Sequence, residues 1–245
     1  VQSASGAWSS ITVPRVGADR LHQEGVYGAP VTIAVLDTGS WYSYVPIAKD
    51  IYGQPRIRAE YNAITNKIEH VKDESGHGTH VASIALSSRL DDQGLYLGIA
   101  PNARLVVVKA FGENGGGRYS DVIRGIDWIV SKKATYNIRV LNCSFSAPVR
   151  SWYWQDPLNK AIMRAWRAGI VVVASAGNGG PDPMTIGVPG NVPYVITVGA
   201  MTDNYTLGNG NDDRLARFSA AGPTYEGFVK PDVVAPGGHV YSTMD

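Results

Sequence analysis

Three polar side chains of this sequence, Asp37, His77 and Asn178, are of types that serve proton transfer and charge stabilisation. An aspartate can orient an imidazole and stabilise its cation, a histidine can move protons, and an asparagine amide can donate to a developing oxyanion. His77 lies between Gly76 and Gly78, and glycine lets other backbone approach closely because it has no Cβ. The three side chains would serve a single reaction, but the set still needs a nucleophile.

The elements next to these residues suggest how they are held in place. The β-branched apolar run Val31–Leu36 predicts a buried strand, and Asp37 follows its carboxyl end, where open α/β sheets bind ligands. The apolar run Val81–Leu86 predicts a helix that begins at His77. Each residue also has a plainer interpretation, since Asp37 could cap a loop and His77 could belong to a turn.

Strands and helices alternate along the rest of the chain. Further strands are predicted at 57–61, 105–108, 140–143, 170–174 and 194–198, and helices at 17–24, 120–132 and 158–166. This alternation predicts an α/β fold in one domain, with a mostly parallel sheet covered by helices on both faces.

Composition excludes several classes of protein. The chain has 245 residues, 44% of them apolar, and a net charge of +1, so neither nucleic acid nor a membrane surface is a predicted partner. Cys143 is the only cysteine, which rules out an internal disulfide. No apolar run is long enough to span a membrane, and Val1–Ala4 lacks signal-peptide features. The sequence leaves open whether the location is extracellular or cytoplasmic.

Three other chemistries are conceivable for residues of this sequence. His77 and His80 have the i, i+3 spacing of a metal pair, but no third ligand is evident. Cys143 with His77 would suggest a cysteine protease, but Cys143 falls in a predicted buried strand, where thiols are usually inert. The polar turn Asp91–Gly94 is either a cation-binding loop or a solvated turn.

Four motifs resemble the subtilases, the subtilisin family of serine proteases. In chain order they are Val35–Gly39, Gly76–Ala82, Ala176–Asn178 and Lys230–Gly237. They occur in the family's order and span residues 30 to 240, and the stretch Asp156–Ala200 is most similar to the bacterial intracellular AprX-like group. The resemblance implies a subtilisin-like three-layer fold and a polypeptide substrate. It implies no cofactor for the chemistry and is compatible with structural calcium.

The same resemblance implies a role for each polar residue. Asp37 would orient His77 and accept a hydrogen bond from its ring, and His77 would act as general base and then as general acid. Asn178 would supply the side-chain half of the oxyanion hole.

Substrate-binding residues follow from the resemblance as well. The peptide would lie as an added strand between Gly115–Gly117 and Ser144–Ser146, held by main-chain hydrogen bonds. The slot for the P1 side chain would be apolar and roomy and would favour Phe, Tyr, Leu or Met, although Ser146 replaces a glycine usual in the family and would narrow its neck. The implied substrate-binding residues are Gly115, Gly116, Gly117, Ser144, Phe145, Ser146, Ala174, Ser175, Ala176, Gly177 and Gly187.

The family's nucleophile lies in a Gly-Thr-Ser-Met-Ala motif downstream of the segment that matches Ala235–Gly237. No serine of this sequence matches it, and Ser242, in a predicted strand Val240–Thr243, is no substitute. Residues 1–245 are therefore expected to form one peptidase domain without its C-terminal part, inactive alone and completed by a C-terminal fragment or second chain. The alternative is a catalytically inactive, subtilase-like peptide-binding module.

Overall fold

A single nine-stranded sheet organises the chain. The structure is a computed structural model that describes residues 12–204, 206, 210–238 and 240. In chain order its strands are β1 Thr32–Asp37, β2 Ile57–Asn62, β3 Lys67–Ile68, β4 Arg104–Lys109, β5 Ile138–Cys143, β6 Val171–Ser175, β7 Ile196–Thr202, β8 Arg214–Leu215 and β9 Val233–Gly238. Across the sheet they lie in the order β3-β2-β4-β1-β5-β6-β7-β8, and β9 also pairs with β7.

The sheet is mostly parallel, as predicted. Only the pairs β2–β3 and β7–β8 are antiparallel, whereas β1 pairs in parallel with both β4 and β5, and β6 continues the parallel order. Parallel strands place their carboxyl ends at one edge, so the residues that follow β1, β5 and β6 are brought together there.

Helices cover both faces of the sheet, which confirms the predicted layers. The helices are α1 Thr12–Arg15, α2 Ala18–Gln23, α3 Val45–Ala48, α4 His77–Leu86, α5 Tyr119–Tyr136 and α6 Pro157–Arg167. Helix α4 packs with Val35 and Val107 on one face, and α5 and α6 pack with Val106 and Val172 on the other. Among the described residues, no helix is long and apolar enough to cross a membrane.

The face that carries α4 is only partly covered. Val35 of β1 lies opposite Asn142 in register, and Asn142 lies opposite Val173 of β6, so these side chains share that face. Farther along the same face, Val171, Ile196 and Val233 are 48%, 42% and 51% exposed. An apolar surface thus continues from α4 across β6, β7 and β9 without a described helix above it.

Element boundaries differ modestly from the predictions. Strand β7 begins two residues later and extends to Thr202, and α5 extends at both ends to span Tyr119–Tyr136. The predictions missed α1 and α3, because four-residue helices show no periodicity, the two-residue strands β3 and β8, and β9, which contains Pro236. The predicted strand 240–243 lies outside the described residues except for Val240.

Candidate active site

Asp37 and His77 meet at the carboxyl edge of the sheet. The Nδ1–H of His77 donates a hydrogen bond to Asp37 Oδ1 at 2.6 Å, the pairing predicted from the sequence. The Asp37 side chain is 4% exposed and the His77 side chain 51%. The aspartate is therefore shielded, whereas the imidazole faces solvent and keeps Nε2 as the nitrogen that can accept a proton.

Glycines make this close approach possible. Gly76, just before α4, has a φ of +82°, a left-handed conformation that suits glycine. A Cβ on Gly78 would lie 2.4 Å from Gly39 O, closer than real Cβ contacts allow, and 3.2 Å from Asp37 Cβ. The start of α4 can therefore lie directly against the loop after β1, which brings His77 to Asp37.

The pairing changes the acidity of the imidazole. The hydrogen bond to Asp37 raises the pKa of His77 above its ordinary value, against the opposing effect of burial, and the charges of Asp37 and Asp73 raise it further. The carboxylate thus favours the protonated ring, which is the state a general base reaches after it has taken a proton.

Asn178 lies in the same cleft as His77. The cleft has a volume of about 420 Å³, and its lining includes both residues together with Ser144 and Ser175. Asn178 follows β6 and is exposed, so its amide is available to a ligand. The imidazole of His77 and the amide of Asn178 therefore face one cavity.

The predicted substrate-binding residues fall into separate groups. Ser144, Ala174, Ser175 and Gly177 line the cleft that contains His77. Gly116 and Gly117 line a second cleft of about 640 Å³. Phe145 contacts Phe111 at a ring-centroid distance of 5.0 Å, and the ring of Phe111 lies beside Gly117, so the two predicted peptide-flanking segments approach each other through these rings.

Of the remaining predicted pocket residues, Gly187 lies next to Ser146. A Cβ built on Gly187 would lie 2.0 Å from Ser146 Oγ, and one built on Gly177 would lie 2.8 Å from it. Gly187 also donates its N–H to Ala176 O at 3.0 Å. The hydroxyl of Ser146 therefore occupies the space in front of both glycines.

Gly115 lies in the turn Gly112–Gly115 and lines neither cleft.

Three polar residues to which the motifs assigned no role support the pair: Thr38, Asp73 and Lys109. Asp73 is 1% exposed and accepts hydrogen bonds from Thr38 and from the start of α4. Lys109, at the end of β4, donates to Thr38 O at 2.5 Å, to Lys72 O at 3.0 Å and to Glu74 at 2.7 Å. The position of Asp73 four residues before His77 was the one signal available, because aspartate commonly accepts from the free N–H groups of a helix start.

The other chemistries find little support in the geometry. Cys143 is fully buried, and burial raises the pKa of its thiol, which keeps it in the unreactive neutral form. His80, the second residue of the possible metal pair with His77, forms a hydrogen bond through its ring to Val240 O at 3.2 Å.

The turn Asp91–Gly94 is held together by the carboxylate of Asp91. Asp91 Oδ1 accepts the N–H groups of Gln93 and Leu95, so the carboxylate closes its own turn. Within the described part of the chain, no group of three or more His, Cys, Asp or Glu side chains could hold a metal ion.

An Asp–His pair and an asparagine amide thus lie together at the carboxyl edge of a mostly parallel sheet. The model of the subtilase family, Peptidase_S8, matches residues 28–245, so the chain belongs to this family.

Named relatives agree with this membership. The chain is 38% identical to the serine protease AprX of Bacillus subtilis (strain 168) over 227 residues, which cover 88% of this chain and 48% of AprX. It is 36% identical to subtilisin DY of Bacillus licheniformis over 235 residues, which cover 94% of this chain and 73% of that protein. The chain thus spans about half the length of AprX.

Solved structures show the same fold. Sphericase superposes with a TM-score of 0.74 at 27% identity over 97% of this chain and 76% of its own. The S41 psychrophilic protease superposes with a TM-score of 0.70 at 30% identity over 90% of this chain and 73% of its own.

Proposed function

We propose that this chain is the Asp- and His-bearing part of a subtilisin-like serine endopeptidase whose nucleophilic serine lies outside residues 1–245. The observation that carries the proposal is the 2.6 Å hydrogen bond between His77 and the buried Asp37, at a cleft that also contains Asn178. The serine-protease names of the relatives support the same reaction.

Each side chain has a defined task in the proposed reaction. Asp37 holds the Nδ1–H of His77, so that Nε2 can take the proton of the serine hydroxyl as this attacks a peptide carbonyl. His77 then returns the proton to the leaving amine, and Asn178 donates to the oxyanion. In a subtilisin, loss of one such donor lowers kcat by about 10²–10³-fold.

The uncovered sheet face supports the proposed position of the nucleophile. The cleft beside His77 is floored by Val173, Val198 and Ala235, which lie on that face, and is bordered by Val81 of α4. A helix that packs on this floor would bury the exposed valines and isoleucine, and a serine at its start would lie next to the imidazole. We therefore propose that the completing segment, a continuation of the chain or a second chain, binds here.

Chemical labelling tests the proposed reaction. The complete polypeptide encoded by the gene should hydrolyse a peptide anilide and lose that activity with phenylmethylsulfonyl fluoride. Mass spectrometry should place the label on a serine beyond residue 245, and the His77→Ala variant should not be labelled, because its serine lacks a base.

Two results would contradict the proposal. A label on a serine within residues 1–245 would show that the nucleophile has been misplaced. A folded protein that binds peptides but neither hydrolyses them nor reacts would identify a catalytically inactive peptide-binding module.

Ser146 should tune the choice of the P1 side chain. We propose a P1 slot lined by Ser144–Ser146 and Ala174–Ala176 with Gly187 at its floor, which favours large apolar side chains. Because the Ser146 hydroxyl lies against Gly177 and Gly187, the slot is narrower at that point than it would be with glycine at position 146. Slim side chains such as Leu and Met should therefore be preferred over the rings of Phe and Tyr.

The Ser146→Gly variant of the complete protein should reverse that order. Removing the hydroxyl and its carbon should raise kcat/KM for Phe relative to Leu at P1 by about 10-fold, the scale of one methylene in an apolar pocket. Competitive cleavage of a peptide library measures the ratio, with Ser151→Gly in the same loop as control. An unchanged Phe/Leu ratio, or a preference for Lys, Arg, Asp or Glu at P1, would refute this view of the pocket.

A further inference from the structure

Asp73 is a buried carboxylate that accepts four hydrogen bonds. Its Oδ1 accepts from the N–H of Gly76 at 2.8 Å and from the hydroxyl of Thr38 at 2.7 Å. Its Oδ2 accepts from the N–H of Thr79 at 2.8 Å and from the Thr79 hydroxyl at 2.6 Å. Both oxygens are therefore fully engaged, and no lysine or arginine pairs with Asp73 among the described residues.

Thr38 connects this carboxylate to Asp37. Its N–H donates to Asp37 Oδ1 at 2.8 Å, while its hydroxyl donates to Asp73 and accepts from the N–H of Gly78 at 2.9 Å. The end of β1 and the first turn of α4 thus share one hydrogen-bond network. The backbone contact between Gly78 and Gly39 leaves no room for the two elements to move closer together.

We propose that Asp73 is a positioning residue for the Asp37–His77 pair. Through Thr38 it fixes the carboxylate of Asp37, and through Thr79 it fixes the turn that presents His77. Its negative charge adds to that of Asp37 in stabilising the imidazolium. This inference deepens the proposed function and rests on it for the effect on turnover.

The charge of Asp73 persists although the residue is buried. Burial by itself favours the neutral acid, but the hydrogen bonds from Thr79, Thr38 and the backbone outweigh it and hold the pKa of Asp73 below its ordinary value. An anion is therefore present near His77 at neutral pH, and its charge contributes to the raised pKa of that histidine.

Two other titratable groups near the pair are Lys109 and Cys143. Lys109 pairs with Glu74 at 2.7 Å, and burial keeps the Cys143 thiol protonated. Among the described residues, the charged groups that act on His77 are Asp37 from β1 and Asp73 from the loop before α4.

Histidine NMR of the complete protein tests the inference without reference to activity. The His77 resonance is assigned by its loss in a His77→Gln variant, and its titration is followed in Asp73→Asn. Asparagine keeps the size of the side chain but removes the charge, and its amide nitrogen cannot accept from the donors that face it. The His77 pKa should fall in Asp73→Asn, and kcat should fall by about 10²-fold with KM little changed, because misplaced catalytic groups lose rate rather than binding.

Asp156→Asn is the matched control. Asp156 is 4% exposed and accepts the N–H groups of Leu158 and Asn159 at the start of α6, on the other face of the sheet. The Asp156→Asn variant should lower the stability of the fold as much as Asp73→Asn does, but it should leave the His77 titration unchanged. An unchanged His77 pKa and kcat in folded Asp73→Asn would overturn the inference.

Thr38 variants keep the test decisive if Asp73→Asn fails to fold. Thr38→Val removes only the hydroxyl link and should reproduce the loss of kcat, whereas Thr38→Ser retains the hydroxyl and should restore it. Equal kcat in both variants would overturn the positioning role. If the His77 titration shifts as expected but no variant hydrolyses peptides, the inference stands and the proposed peptidase function fails.

Discussion

Asp37→Asn in the complete protein is expected to lower kcat by about 10⁴-fold with little change in KM. The present carboxylate can only accept a hydrogen bond, so it holds the proton on Nδ1 of His77 and leaves Nε2 as the base. An asparagine can present its amide N–H to Nδ1 instead, which favours the tautomer with the proton on Nε2. That tautomer cannot take the proton of a serine hydroxyl. Steady-state kinetics on a peptide anilide measures the loss.

The pH profile distinguishes this cause from simple damage to the fold. Activity requires neutral His77, and the hydrogen bond to Asp37 raises its pKa above the ordinary 6.5, so the acidic limb of kcat/KM should lie above that value. In Asp37→Asn the histidine loses this support, and the limb should move to lower pH. Asp156→Asn should retain both the wild-type kcat and the wild-type limb. An Asp37→Asn enzyme within 10-fold of wild-type kcat would contradict the assignment of Asp37.

Much of the sheet could be predicted because its signals are local. Continuous β-branched runs mark β1 and β4. The apolar spacing of Val122, Ile126 and Ile129 marks α5, and all three side chains are buried. Strand β9 was missed because Pro236 and Gly237 interrupt the pattern, and its pairing with β7 depends on contacts distant in sequence.

The same distinction between local signals and contacts distant in sequence applies to the residues of the site. Asp37 and His77 were predicted because each lies in a short motif beside a recognisable element. The role of Asp73 was not predicted, because its partner Thr38 is 35 residues away and only the fold brings the two together. The place of Ser146 against Gly177 and Gly187 likewise depends on three loops that meet at one edge of the sheet.

The polypeptide of residues 1–245 alone is expected to show neither hydrolysis nor labelling by phenylmethylsulfonyl fluoride. The proposed serine is one missing part, and the cover for the exposed apolar face is the other. Val171, Ile196 and Val233 are each more than 40% exposed there. At about 25 cal/mol per Å², a few hundred Å² of such surface corresponds to several kcal/mol, a large share of a domain's net stability of about 5–15 kcal/mol.

Both deficits should therefore disappear together when the proposed segment is present. The shorter polypeptide should melt at a lower temperature than the complete one and should self-associate through the apolar face. Thermal melting, analytical ultracentrifugation and quantitative labelling of the two polypeptides measure this, with the His77→Ala variant of the complete protein as the folded but unlabelled control. A stable monomer of residues 1–245 that takes up one equivalent of label would show that the nucleophile lies within it and that the exposed face needs no cover.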